Sequence, residues 1–299
     1  MVNSFIFYMN LISSFFIAVI GIPGNLAILY FFLIKCWKRI NSYYLFIIYL
    51  AFSDLAVCIT RFVSVTVLYF AAETQTATLL CENTWFLATG ISNVSIWILS
   101  GMYFDRYRKI TKPLAKQLPK WYIHITFIIT ALAGYWASYP FQRSVRWNPL
   151  SKICKLGPGV SIETSITSFF FHLITLSILP ISINIYSNFR ITKYLNCEAN
   201  SNDQIQQNEI FERNNKAAST LKSLTIVASI TTFIPNIVLT IAYGTYSISQ
   251  NLEVIPKEIF NVLSNLMFFN SIINAFVYWF HIKEFRSFYA KKIHSCFQR

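Results

Sequence analysis

Polar residues are scarce over seven long stretches of this chain, approximately 5–33, 43–72, 79–103, 121–141, 164–189, 219–248 and 256–280. Each reaches the ~20 residues that a helix needs to cross a bilayer. None alternates apolar and polar residues with the period of two of a barrel strand. The pattern therefore predicts helices, which satisfy their own backbone in lipid. The longest polar stretch, around 196–216, reads as a loop that runs on into the sixth helix. A stretch at about 282–296 follows the last run and puts Ile282, Phe285, Phe288, Ile293 and Cys296 on one apolar face. The expectation is an all-α membrane protein, a single domain over 1–299: seven spanning helices and a short amphipathic eighth.

Composition agrees with the pattern. Hydrophobic residues make up 55% of the chain and charged ones 12%, about half the roughly 25% of an average soluble domain. A mean hydropathy of +0.48 excludes an ordinary soluble enzyme. The net charge of +13 would suggest nucleic acid if the basic residues shared one water-facing surface. They lie instead between the apolar runs. Lys35, Lys38 and Arg39, then Arg106 to Lys120, then Arg190 to Lys222, then Lys283 to Arg299 all fall on one side of the membrane. The excess of Lys and Arg there makes that side cytoplasmic and the N-terminus extracellular. No nucleic-acid partner is expected. The first run is too long for a signal peptide and has its basic flank on the C-terminal side, so it reads as an uncleaved span with no folded ectodomain before it.

Polar groups inside the runs are costly and so carry information. Asp54 lies in the middle of the second run; Asn25, Ser95, Asn270, Ser271 and Asn274 are mid-run polar groups on other helices. They can surround a cation or a water cluster, or Asp54 can be a protonated acid bonded to a neighbouring helix. Arg61 lies seven residues further along the same helix. Facing the bundle, its guanidinium suits a carboxylate or the carbonyls of an amide-terminated peptide; otherwise it snorkels or pairs with Glu82. An intramembrane enzyme needs convergent catalytic groups, and none is legible. A secondary transporter would usually show paired repeats, which are also missing.

Asp105-Arg106-Tyr107 followed by Pro113, Gly21-Ile-Pro-Gly24-Asn25, Leu50-Ala-Phe-Ser-Asp54-Leu55, Pro180, Pro235 and Asn270-Ser271-Ile-Ile-Asn274-Ala-Phe-Val-Tyr278 occur in this order. Together they resemble the rhodopsin-like (class A) G-protein-coupled receptors over essentially the whole chain. The resemblance implies a multi-pass receptor of the plasma membrane that binds an extracellular ligand and activates heterotrimeric G proteins by outward movement of the sixth helix. Asp105, Arg106, Tyr107, Pro113, Phe233, Pro235, Asn274 and Tyr278 would form its switch, with Asp105 holding Arg106 at rest. Asp54, Ser95, Asn270, Ser271 and Asn274 would form an allosteric sodium site, with Asn25 bracing Asp54, and no cofactor would be required. Cys81 and Cys154 would form a disulfide, and Cys296 is a lipidation candidate beside the alternative of an unmodified thiol.

The chain also departs from the family. Ala275 replaces the proline of the seventh-helix motif, and Phe233 stands where a tryptophan is usual. Asn188 takes the place of a tyrosine, and Asn215 that of an acid which restrains the arginine in some members. Ala88 replaces the aspartate that grips biogenic amines. Phe268 occupies the position of the lysine that opsins use for a retinal Schiff base. Arg61, Thr89, Ser92, His172, Asn236 and Thr240 are candidates for the ligand cavity. A neuropeptide or other small peptide is the favoured ligand, because the Gly-Ile-Pro-Gly-Asn opening resembles peptide receptors. A chemosensory or non-signalling heptahelical receptor for a small anionic ligand is the alternative, and a transporter a distant one.

Overall fold

A computed structural model describes residues 2–35, 41–70, 74–112, 118–148, 153–156, 170–199, 208–235 and 257–297, with 167, 237–238 and 241 besides. The first run is one rod: α1 (Val2–Phe16), a π-helical turn (Ile17–Gly21), α2 (Ile22–Tyr30) and a second π turn (Phe31–Lys35). The residues at its junctions keep right-handed helical dihedrals, so the rod does not break. Then come α3 (Ser42–Phe70), α4 (Thr74–Thr111) and α5 (Lys120–Ser144). A π segment (His172–Ile178) leads into α6 (Leu179–Ala199). α7 (Asn208–Ala228) runs into the π turn Ser229–Phe233, and α8 (Lys257–His281) is followed by α9 (Lys283–Phe297).

Three of these π turns end two residues before a proline: Gly21 before Pro23, Ile178 before Pro180 and Phe233 before Pro235. The cause is local. Proline lacks an N–H and its ring collides with the carbonyl four residues back. A widened turn moves that carbonyl away and keeps the helix continuous.

The elements match the apolar runs with informative differences. α4 extends beyond the run 79–103 at both ends, and Asp105, Arg106 and Tyr107 lie in its last turns. α7 begins at Asn208, inside the stretch read as a loop. The chain is also not wholly helical. Val145–Asn148 (β1) pairs antiparallel with Ile153–Leu156 (β2), with Trp147 opposite Cys154, and β1 packs against α4. This pair of strands is a small exception to an otherwise helical architecture among the described residues; four-residue strands carry too little pattern to read from sequence.

Among the described residues, three helices are long and apolar enough to cross a membrane: Tyr8–Ile34, Ser42–Thr66 and Val262–His281. Their polarity is inverted relative to a soluble globule. Phe15 is 62% exposed and Phe280 69%, whereas Asn25 and Asp54 are fully buried. Lipid solvates the outside, and the polar groups bond one another within.

The central apolar cluster joins Ile28 and Phe32 to Phe46, Met102, Tyr103, Leu221 and Tyr278. Small residues let the helices approach. A Cβ on Gly134 of α5 would meet the Gly90 carbonyl of α4 at 2.7 Å, and one on Gly24 would meet the Ala275 Cβ at 2.8 Å. α9 packs back on the first rod. Phe285 and Phe288 lie edge-on to Phe31 at 5.3 and 5.5 Å, and the Tyr289 hydroxyl donates to the Ala27 carbonyl at 2.7 Å. The side chains of Ile293 and Cys296 lie outside the described residues.

Candidate functional site: a polar axis through the helix bundle

Three polar groupings follow one another along α3. Ser42 begins the helix, Asp54 is twelve residues on and Arg61 seven further, so the groupings are spread over about 28 Å of helix.

The middle grouping centres on Asp54. Its Oδ1 accepts from Ser95 Oγ at 3.1 Å and Ser271 Oγ at 3.0 Å, and its Oδ2 from Asn274 Nδ2 at 2.6 Å. Ser95 Oγ also lies 2.9 Å from Ser53 Oγ. α3, α4 and α8 thus converge on one buried carboxylate. Two expected members stand elsewhere. Asn25 Nδ2 donates to the carbonyls of Ser271 (2.8 Å) and Gly21 (3.0 Å), so it braces the helix that carries Ser271 and not Asp54 itself. Asn270 Oδ1 accepts from Thr231 Oγ1 at 3.1 Å and ties α8 to the π turn after α7. One residue per turn on α8 can face Asp54, and Ser271 and Asn274, three apart, take that face. Carboxylate and hydroxyl oxygens are the donors a hard cation prefers, so Asp54, Ser95 and Ser271 fit a sodium ion chemically.

The second grouping lies where α4 ends. Asp105, 1% exposed, accepts from Ser42 Oγ at 2.8 Å through Oδ1, and Lys109 Nζ lies 3.1 Å from its Oδ2. Lys109 also donates to Ser42 Oγ at 2.6 Å. The expected Asp105–Arg106 pair is therefore replaced by Asp105–Lys109. Neighbours in a helix point about 100° apart, whereas residues i and i+4 share a face. The Arg106 guanidinium sits over the Tyr43 ring, 3.7 Å from its centroid, and its Nε is buried without a hydrogen-bond partner. Tyr278 is fully buried, and its hydroxyl likewise has no partner.

The tie between α4 and α7 comes from a residue the sequence reading passed over. The Tyr103 hydroxyl contacts the Leu221 carbonyl and Thr225 Oγ1. Asn215, at the position of the restraining acid, is exposed. Ser223 Oγ lies 3.0 Å from His281 Nε2, joining α7 to α8. Phe233 is 2% exposed and closes the π turn two residues before buried Pro235.

The third grouping surrounds Arg61. Its Nη2 donates to Asn10 Oδ1 at 3.0 Å and Asn265 Oδ1 at 3.2 Å. Asn265 Nδ2 donates to Asn10 Oδ1 at 3.0 Å, and Ser13 Oγ to Asn265 Oδ1 at 2.8 Å. The guanidinium carbon lies 4.7 Å from the Phe268 ring centroid. Asn10, Ser13 and Asn265 were absent from the expected cavity. Of the other ligand candidates, Ser92 is buried on α4. Asn236, Thr240 and the side chains of Thr89 and His172 lie outside the described residues, as do Pro113 and the side chains of Cys81 and Cys154.

Long apolar helices, an outward-facing apolar surface and a buried polar axis define a membrane-embedded helical protein. Residues 24–278 match the 7 transmembrane receptor (rhodopsin family), and the chain belongs to that family. It is also similar to Opsin Rh6 of Drosophila melanogaster, with 27% identity over 151 residues. That match covers 49% of this chain and 41% of the opsin, less than half of that protein's length.

Proposed function

We propose that this chain is a plasma-membrane G-protein-coupled receptor with seven spans and an extracellular N-terminus. An extracellular ligand, with a small peptide favoured, moves the inner end of α7 outward and admits a heterotrimeric G protein. The observation that carries this reading is the state of Arg106. It stands at the inner end of α4, with Asp105 already engaged by Lys109 and Ser42 and, among the described residues, the Tyr43 ring beneath its guanidinium. An arginine held this way can leave its ring for carbonyls of an incoming partner without breaking an ion pair.

The roles of the remaining residues follow from the same reading. Asp105 fixes Lys109 and Ser42, Tyr107 meets Tyr186 edge-on at 6.0 Å, and Pro113 joins the switch on the strength of the family resemblance. Phe233 and Pro235 form the pivot of α7. Asn274 links Asp54 to the helix that carries Tyr278, whose unpartnered hydroxyl gains a partner in the open state. Asp54, Ser95, Ser271 and Asn274 hold sodium in the resting state, which sodium favours by binding it better. A Cys81–Cys154 disulfide would pin the β1–β2 hairpin to α4, and Cys296 would anchor α9 through a lipid.

Two other readings meet specific residues. Likeness to an opsin raises light sensing, but Phe268 stands where the retinal-linking lysine would be, and its ring underlies Arg61. A small anionic ligand, the alternative to a peptide, is favoured by Arg61.

The test is nucleotide exchange on a panel of G proteins, comparing the unmodified chain with Arg106→Ala at matched surface levels. Basal exchange that disappears in the variant is the expected result. Exchange that survives Arg106→Ala would remove the arginine from the mechanism.

A further inference from the structure

We infer that Arg61 is the docking point for a carboxylate carried by the extracellular ligand, an inference that rests on the receptor reading above. A guanidinium stays charged at every physiological pH, and enclosing one within a membrane bundle is costly. The fold makes little use of that charge. Among the described residues, both hydrogen bonds of Arg61 leave from a single nitrogen, Nη2, and end on neutral amide oxygens. Nε, which shares an edge of the guanidinium with Nη2, is buried without a partner. Among the described residues no carboxylate lies within ion-pair distance of Arg61.

A carboxylate is the group whose two oxygens match that Nε–Nη2 edge with parallel, charge-assisted bonds. The neighbours are equipped for its arrival. Asn10 and Asn265 now present oxygens to the cation, and each also carries an amide NH2. Turning an amide over converts an acceptor for arginine into a donor for the incoming anion and gives up the Asn265–Asn10 bond that now joins the two. The Phe268 ring, with its centroid 4.7 Å from the guanidinium carbon, covers one face of the guanidinium. The grouping joins α1, α3 and α8 near the N-terminal end of the bundle, the end read as extracellular. On the sequence-based topology Arg143, Arg146, Lys152 and Lys155 fall on the same side, where basic residues would raise the local concentration of anions. Two sources carry this chemistry: the free C-terminus of a peptide and a small organic acid.

The test uses the purified full chain in phosphatidylcholine nanodiscs and its melting temperature. N-acetylphenylalanine and its amide stand for peptide ends, and octanoate and octanamide for small acids. The expected result is a saturable upward shift with at least one acid and none with the matching amide. Arg61→Gln should abolish the shift. Arg61→Lys, which keeps charge but loses the two-pronged edge, should weaken acid binding about tenfold or more, and it carries the test if the glutamine variant does not fold. A shift with N-acetylphenylalanine alone assigns the site to a peptide C-terminus, and one with octanoate alone to a small acid. Equal shifts from acid and amide, a shift that survives Arg61→Gln, or no shift with either acid at millimolar concentration would overturn the inference. So would a strong coupling between Glu82→Gln and Arg61→Gln in the unliganded protein, because the charge would then belong to Glu82. No G protein enters this assay, so its failure and that of the Arg106→Ala experiment are separate results.

Discussion

Arg61 and Arg106 stand toward opposite ends of the same bundle and rest in nearly the same way. Each guanidinium lies against an aromatic ring, Phe268 for Arg61 and Tyr43 for Arg106, and each buries its Nε without a partner. Neither pairs with a carboxylate among the described residues. The difference lies in the remaining nitrogens. Arg61 is tied by Nη2 to asparagines from two other helices, while Arg106 has no hydrogen bond among the described residues. Hydrogen bonds to a charged group contribute about 1.5–3 kcal/mol each. A cation on a ring gains about 0.5–2 kcal/mol, depending on desolvation. Arg61 is therefore tied into the bundle more firmly than Arg106, which among the described residues is held by a ring alone. On the proposed reading, a common residue type would serve as a fixed receptor of charge at one end and as a movable arm at the other.

The largest expected effect lies midway between them. Asp54 gathers Ser95, Ser271 and Asn274 from the helices that also carry Arg106 and Tyr278. If this centre sets the resting state through sodium, replacing potassium with sodium at constant ionic strength should lower basal nucleotide exchange in the unmodified chain. Asp54→Asn should abolish that dependence, because the uncharged amide gives the ion no countercharge. Sodium sensitivity that persists in the variant would sink the ion site and leave Asp54 as a structural hydrogen-bond hub.

A smaller effect is expected at Tyr103. This residue holds α4 to α7 through the Leu221 carbonyl and Thr225, so release of Arg106 and release of this contact should be one event. Tyr103→Phe removes the hydroxyl and keeps the ring. Losing about 1 kcal/mol of resting-state restraint should raise basal exchange roughly fivefold. Thr225→Val added to it should do little more, since both changes remove one contact. Basal exchange unchanged by Tyr103→Phe would count against the tie between α4 and α7 as a restraint.

Tyr103 also marks where sequence reading stops. Asp54 was legible because a carboxylate in an apolar run has few neutral explanations, and its partners were legible as polar residues at similar depth. A tyrosine in such a run attracts no notice, because its ring alone accounts for its presence. The Asp105–Arg106 pair misled for the opposite reason: sequence adjacency looks like contact, but a helix turns neighbours apart and gave Asp105 to Lys109. Around Arg61 the obstacle was reach. Asn10 lies within α1, fifteen residues before Asn25, and only an arginine stem that rises along the bundle brings it into the Arg61 grouping. The apolar runs located the helices, but α4 and α7 continue past them because charged residues extend a helix into water without an apolar signal.

The smallest effect tests whether Arg106 is held by a ring or by a phenol. The guanidinium lies 3.7 Å from the Tyr43 centroid, and among the described residues the Tyr43 hydroxyl makes no hydrogen bond to Arg106. Tyr43→Phe keeps the quadrupole and should leave basal exchange nearly unchanged. Tyr43→Leu keeps much of the apolar volume but loses the ring, and should raise basal exchange two- to fivefold, for about 0.5–1 kcal/mol. Equal effects from phenylalanine and leucine would mean that packing of Tyr43 in the apolar cluster matters and its π-face does not. Arg106 would then differ from Arg61 even in the ring beneath it, because the Phe268 contact has no hydroxyl to lose.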